Sequence, residues 1–303
     1  MIETKNLSKK FDEYTALNKI TCSIPKGCIY GMVGSNGAGK STFLRCITGI
    51  YKPNEGEVTF DGEPVYENPA TKGKIAFVPD DLFFLQNASL NRMKDMYQSI
   101  YPRFDEERFH YLTNAFALNE NQNLQTFSKG MRRQAAIILA LSSRPDYMFF
   151  DETFDGLDPV MRNLVKGLIC NDVAENNETA IITSHSLREL EDICDQLALL
   201  HMGGLVLQSD VQNLKTSLFK VQIAFKEPPL PAVFEGLTIR ESKQIGSVFT
   251  LIIHGDKQAI IERLQQENPL ILDVLPLTLE EVFTHEMAAL GYSFDEVLGK
   301  EAK

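Results

Sequence analysis

The eight residues Gly34-Ser35-Asn36-Gly37-Ala38-Gly39-Lys40-Ser41 constrain this chain more than any other stretch, because they fit G-x-x-x-x-G-K-[ST]. In that pattern the glycines let backbone N–H groups close around phosphate oxygens at the N-terminus of a helix. Lys40 then neutralises β- and γ-phosphate charge, and the Ser41 hydroxyl meets a Mg2+ that bridges the same phosphates. The flanks agree. An apolar stretch at 29–33 precedes the loop, and residues 42–47 carry apolar side chains at helical spacing up to Gly49. A glycine turn before a helix is the plainer account, but the preceding strand pattern favours phosphate binding.

A second feature completes a nucleotide site. Tyr147-Met148-Phe149-Phe150 has the composition of a buried strand and ends in Asp151-Glu152. Asp151 can hold Mg2+ through water, and Glu152, on the other side of the strand, can polarise a water for in-line attack on the γ-phosphate. A strand ending in acids is commonplace by itself; beside the glycine loop it is the expected second half.

Around these two motifs the chain alternates strands with helices, which implies a parallel sheet covered on both faces. Another buried strand is expected at 179–183, after a helix-compatible stretch at 160–173. Short strands at 21–24 and 57–60, the latter turning at Asp61-Gly62, suggest an antiparallel layer beside the core. Residues 87–118 change period: Leu90, Met93, Tyr97 and Ile100, then Phe109, Leu112 and Phe116, recur at helical spacing and predict a helical insert extending over about 87–140. Past Gly203-Gly204 the pattern alternates through Phe219, Val221, Ile223 and Phe225 and meets a proline-rich turn at Pro228, Pro229 and Pro231. Strands near 248–253 and 270–275 and helices near 258–266 and 279–288 make this a small α+β unit. The expected division is 1–214 for the nucleotide-binding domain and 215–303 for an accessory domain.

The order of motifs resembles that of ABC ATPases. Phe127-Ser128-Lys129-Gly130-Met131 is similar to the family's signature, usually L-S-G-G-Q, Gly156-Leu157-Asp158 to its D-loop, and Ser184-His185 to its switch histidine. Phe11 is placed like the aromatic that stacks on adenine, and Tyr14 is a weaker candidate. Together these motifs span about residues 2–210. The resemblance implies a P-loop NTPase (RecA-like) α/β core with an antiparallel β-subdomain and a helical subdomain. It also implies ATP and Mg2+ as ligands. Residues Gly34, Ser35, Asn36, Gly37, Ala38, Gly39, Lys40, Ser41 and Thr42, with Phe11, would bind ATP. Lys40, Glu152 and His185 would act in catalysis; Ser41, Asp151 and Asp80 would hold the metal. Ser128 and Gly130, with the D-loop Asp158, would face the nucleotide of a second subunit.

That last implication makes the expected functional unit a dimer, of two copies or of this chain with a relative, joined to separate transmembrane permease subunits. The branch resembled serves drug and antibiotic-peptide exporters, as the signature and Tyr101-Pro102-Arg103-Phe104-Asp105 suggest. A nucleotide-switched regulatory protein with weak turnover is the alternative, kept open by the departures at Asp80 and Lys129. Asp80 stands where a glutamine usually follows the 75–79 segment, Lys129 replaces a signature glycine, and Thr153 a proline. A soluble ABC ATPase acting on DNA or ribosomes would need a coiled-coil insertion or a second cassette, neither of which the sequence shows.

Composition narrows the partners. With 41 acidic and 30 basic residues the net charge is −11, which disfavours nucleic acid and anionic lipid. No apolar run approaches the roughly 20 residues of a membrane span, so the expectation is a cytoplasmic protein, peripheral on the membrane through its protein partners. Leu82-Phe83-Phe84-Leu85, just after Asp80, is either packing or a groove for a partner helix, with Phe84 as its test residue. The five cysteines are far apart and are expected to be reduced apolar fillers rather than zinc ligands.

Overall fold

The computed structural model describes residues 1–227, 229, 233–289 and 291–292, in two compact units, Met1–Gln208 and Ser209–Lys303. The first unit is built on a six-stranded sheet in the order Gly204–Asp210, Gln196–His201, Ile29–Val33, Thr179–Ser184, Tyr147–Asp151, Ile75–Val78. Ile29–Val33 runs parallel to both of its neighbours, and Tyr147–Asp151 is parallel to Thr179–Ser184 and to Ile75–Val78. Every residue of the three strands from Ile29, Tyr147 and Thr179 is buried, as in sheets covered on both faces. Because these strands are parallel, the glycine loop, Asp151 and the turn at His185 all leave from the same sheet edge.

Three strands of this sheet, Ile75–Val78, Gln196–His201 and Gly204–Asp210, go beyond those expected from the sequence. Leu197-Ala198-Leu199-Leu200 contains no β-branched residue and carries as much helical as strand propensity; pairing with Ile29–Val33 decides its state. A second, antiparallel sheet runs Tyr14–Ile24, Ile2–Phe11, Glu55–Phe60, Glu63–Pro64. It is more extensive than the short strands expected at 21–24 and 57–60. Register shifts, with Asn6 and Lys19 at φ 50° and 48°, break the period-two pattern that would have shown the longer strands. The two sheets and the Lys40–Ile47 helix share one core, where Phe43, Leu44 and Ile47 are fully buried and the Phe60 and Tyr147 rings meet edge-on at 4.9 Å.

The helical insert contains Leu90–Ile100, Glu106–Ala115 and Lys129–Ser142, each starting at a side-chain cap: Ser89, Asp105 and Ser128. Asp105 also accepts from Arg144, and Arg108 donates to the buried Asp172 of the Pro159–Asn176 helix. These charge-assisted bonds fasten the insert to the rest of the unit.

The second unit holds an antiparallel sheet in the order Thr238–Ile245, Val248–His254, Leu218–Ala224, Ile271–Leu275. Val221, Ile223, Leu251 and Ile253 pack with Leu264 of the Lys257–Gln266 helix in its core. The Thr238–Ile245 strand was unexpected; its mostly exposed residues leave no apolar alternation to read. Of the proline-rich turn, Pro228 and Pro231 lie outside the described residues, as do residues 293–303.

Candidate nucleotide site

The loop at 34–39 joins the Ile29–Val33 strand to the Lys40–Ile47 helix, and two of its glycines are dictated by contact. A Cβ on Gly34 would lie 2.4 Å from the Leu200 carbonyl oxygen. One on Gly39 would lie 2.6 Å from the Ala16 carbonyl oxygen, and Gly39 caps the helix at φ 107°, in the left-handed region. The helix therefore begins at Lys40, two residues before the apolar period starts.

Lys40 is 5% exposed and donates to the carbonyls of Gly34 at 2.6 Å and Ser35 at 3.2 Å. Its Nζ is 3.0 Å from Glu152 Oε1. The other carboxylate oxygen, Glu152 Oε2, meets His185 twice, at 3.0 Å from Nδ1 and 3.3 Å from the backbone N–H. Ser184 Oγ fixes the turn carrying His185 by accepting from Ser186 N–H and donating to Glu189. Lys40, Glu152 and His185 thus form one continuous polar chain across the sheet edge.

Asp151 is 0% exposed; its Oδ1 accepts from Ser41 Oγ at 3.1 Å and from Thr183 Oγ1 at 2.8 Å. Burial pushes its pKa above the ordinary carboxylate range, while the Thr183 and Ser41 hydrogen bonds pull it back. Glu152 takes φ 47°, an unusual value for a residue with a side chain. This left-handed step turns the chain so that adjacent carboxylates, which would alternate in a continuing strand, both serve this edge. Thr183 also accepts from Glu152 N–H at 3.1 Å, holding that step. Thr183 belongs to no motif; its only signal in the sequence is a hydroxyl near the end of an otherwise apolar strand.

The arrangement fits a divalent cation. Asp151 Oδ2 is buried without a hydrogen-bond partner, beside the Ser41 hydroxyl on Oδ1, so an oxygen-seeking ion or its water has an acceptor waiting.

Ser128 caps the Lys129–Ser142 helix by accepting from Met131 N–H at 3.2 Å. A Cβ on Gly130 would lie 3.0 Å from the Gly156 carbonyl oxygen, and Lys129 Nζ is 3.2 Å from Asp155, so the 127–131 segment lies against the 155–158 turn. Asp158 accepts from the N–H groups of Val160 and Met161 and starts the Pro159–Asn176 helix.

Residues 17–155 match the family model described as ABC transporter. The chain is 32% identical over 283 residues to the ABC transporter ATP-binding protein YtrB of Bacillus subtilis, covering 93% of this chain and 97% of that one. The chain belongs to the ABC transporter ATP-binding proteins. A methionine import ATP-binding protein, MetN, of Protochlamydia amoebophila is 31% identical over 71% of this chain and 67% of its own length. The bacitracin transport ATP-binding protein BcrA of Enterococcus faecalis is 29% identical over 71% of this chain and 70% of its own. A solved ATP-binding subunit of an ABC transporter superposes with a TM-score of 0.66 at 25% identity, covering 71% of this chain and 92% of that one.

In this ABC protein the remaining sequence candidates are placed unevenly. Phe11 is 40% exposed; Tyr51 packs edge-on against it at 5.4 Å, and Lys9 Nζ lies over its ring at 5.1 Å from the centroid. Tyr14, the weaker candidate, donates from its hydroxyl to the Gly37 carbonyl at 3.3 Å and so touches the phosphate loop directly. Asp80 pairs with Arg133, its one polar partner among the described residues. In the 82–85 run it is Phe83, at 82% exposure, that points to solvent, whereas Phe84 is half-buried. All five cysteines are free. Among the described residues no helix is long and apolar enough to cross a membrane.

Proposed function

We propose that this chain is the ATP-hydrolysing subunit of an exporter, acting as one of a pair of ATPase subunits on separate membrane subunits. The observation that carries the reading is the Lys40–Glu152–His185 chain at the mouth of the glycine loop, with both contacts to Glu152 at 3.0 Å. Lys40 and the N–H groups of 34–42 would grip the triphosphate. On binding, Lys40 would exchange the Gly34 and Ser35 carbonyls for phosphate oxygens, so the site holds its cation in place in advance. Mg2+, when bound at Ser41 and Asp151, neutralises β- and γ-phosphate charge. Glu152 would draw a proton from the attacking water, and His185 would hold the Glu152 carboxylate in line. Phe11 would stack on adenine.

Ser128, Gly130 and Asp158 would complete the site of the other subunit, so closure of two subunits around two ATP molecules would supply the mechanical step. Export as the direction draws on the resemblance of the 101–105 and 127–131 segments to the exporter branch. The test is nucleotide binding and turnover by the purified full chain. Wild type should release phosphate from MgATP, and Lys40→Met should weaken ATP binding about tenfold to a hundredfold, the worth of one lost charge-assisted hydrogen-bond donor. Wild-type affinity in that variant would contradict the assignment.

Contact with a membrane subunit is assigned to Phe83, because a fully presented aromatic is a typical interface anchor. Phe83→Asp should abolish co-purification with the permease and leave the melting temperature within about 1 °C, since no packing is lost at so exposed a site. Retained complex formation would remove Phe83 from the interface.

A further inference from the structure

Arg133 heads the fully buried side chains of the described residues, at 1% exposure, and the chemistry above gives it no task. A guanidinium in the interior requires a counter-charge and hydrogen-bond acceptors. Nη2 finds Asp80 Oδ1 at 2.8 Å, Nη1 finds the Pro79 carbonyl at 3.1 Å, and Nε is left without a partner. Among the described residues Asp80 is the only carboxylate paired with it, and Asp80 itself is 53% exposed. The pair is therefore asymmetric: Arg133 is locked in place, whereas Asp80 is free to leave for water.

The location of the two ends gives the pair its meaning. Pro79 and Asp80 directly follow the Ile75–Val78 strand, which lies beside the Tyr147–Asp151 strand carrying the carboxylates. Arg133 sits in the second turn of the helix capped by Ser128. One planar fork thus joins the segment leaving the chain's own catalytic sheet to the helix whose N-terminus would serve the other subunit's nucleotide. A hydrophobic side chain would fill the same space without the cost of burying charge, so stability alone does not call for an arginine.

We infer that Arg133 is a positioning residue that couples the two half-sites: through Asp80 it sets the angle of the Ser128 helix against the nucleotide-bearing sheet. This rests on the paired-subunit reading under Proposed function. Asp80 is then the counter-charge of Arg133 and not a ligand of Mg2+. Arginine suits this place because two nitrogens of one rigid planar fork hold the Asp80 carboxylate and the Pro79 carbonyl in fixed relative directions, which the freely rotating ammonium of a lysine would not.

The test compares wild type, Asp80→Asn and Asp80→Glu as full-length chains. It measures phosphate release against ATP and against Mg2+, equilibrium ATP binding, and the thermal melt. Asp80→Asn should lower kcat about tenfold and flatten the ATP cooperativity, with ATP affinity and the half-saturating Mg2+ concentration unchanged. Asp80→Glu, which restores the charge, should recover cooperativity. A rise in half-saturating Mg2+ with kcat restored at high Mg2+ would make Asp80 a metal ligand and overturn the inference. So would a folded Asp80→Asn with wild-type kcat and cooperativity. Where Asp80→Asn does not fold, the double variant Asp80→Leu with Arg133→Met removes both charges; loss of cooperativity supports the coupling and wild-type cooperativity overturns it. Absence of turnover in wild type would sink the ATPase reading itself, and this inference with it. Wild-type turnover with unaffected variants sinks this inference alone.

Discussion

Glu152→Gln is expected to lower kcat for ATP hydrolysis by about 10²- to 10⁴-fold, the usual contribution of a positioned general base. The substitution keeps the shape of the side chain, but the amide has a single acceptor oxygen where the carboxylate served both Lys40 Nζ and the His185 N–H, and it cannot accept a proton. Lys40 keeps its Gly34 and Ser35 carbonyls, so the cation that grips phosphate stays in place and ATP binding survives. Affinity and turnover therefore separate: single-turnover assays should find ATP bound and unhydrolysed. Turnover at the wild-type rate would show that Glu152 does not activate the water.

Ser128→Asp carries the second large effect because it separates two roles that alanine would confound. As an N-cap, aspartate is as good as serine, and its charge suits a helix N-terminus. If Ser128 only capped the Lys129–Ser142 helix through Met131 N–H, the variant would be neutral or slightly more stable. If that N-terminus faces a triphosphate, a carboxylate there repels it at close range. We expect an unchanged melt, unchanged ATP binding by the single subunit, and complete loss of ATP-driven pairing and of turnover. Turnover equal to wild type would reduce Ser128 to a capping residue.

The site was legible in the sequence where its chemistry is written in contiguous residues. The 34–41 loop, Asp151-Glu152 and Ser184-His185 each sit at the end of an apolar strand, and parallel pairing of those strands brings them to one edge. Loop geometry also explains the glycines, because the clashes at Gly34 and Gly39 are with backbone that a motif cannot reveal. What could not be read depends on distance or direction. Arg133 and Asp80 meet across 53 residues, and neither type nor spacing announces the pair. Leu82-Phe83-Phe84-Leu85 has no period, so nothing in it indicated that Phe83 faces out and Phe84 in. The strand Ile2–Phe11 hid behind bulges, and Gln196–His201 behind leucines and an alanine that gain their strand character from a neighbour. The Tyr14 contact with Gly37 is equally hidden, because a sequence shows which aromatic is similarly placed and not which one touches the loop.

Sedimentation of the Glu152→Gln chain with and without MgATP tests the central claim most directly. The account predicts the mass of one chain without nucleotide, that of two with MgATP, and a return to one when Ser128→Asp is added. A single-chain mass at saturating MgATP and high protein concentration would contradict it.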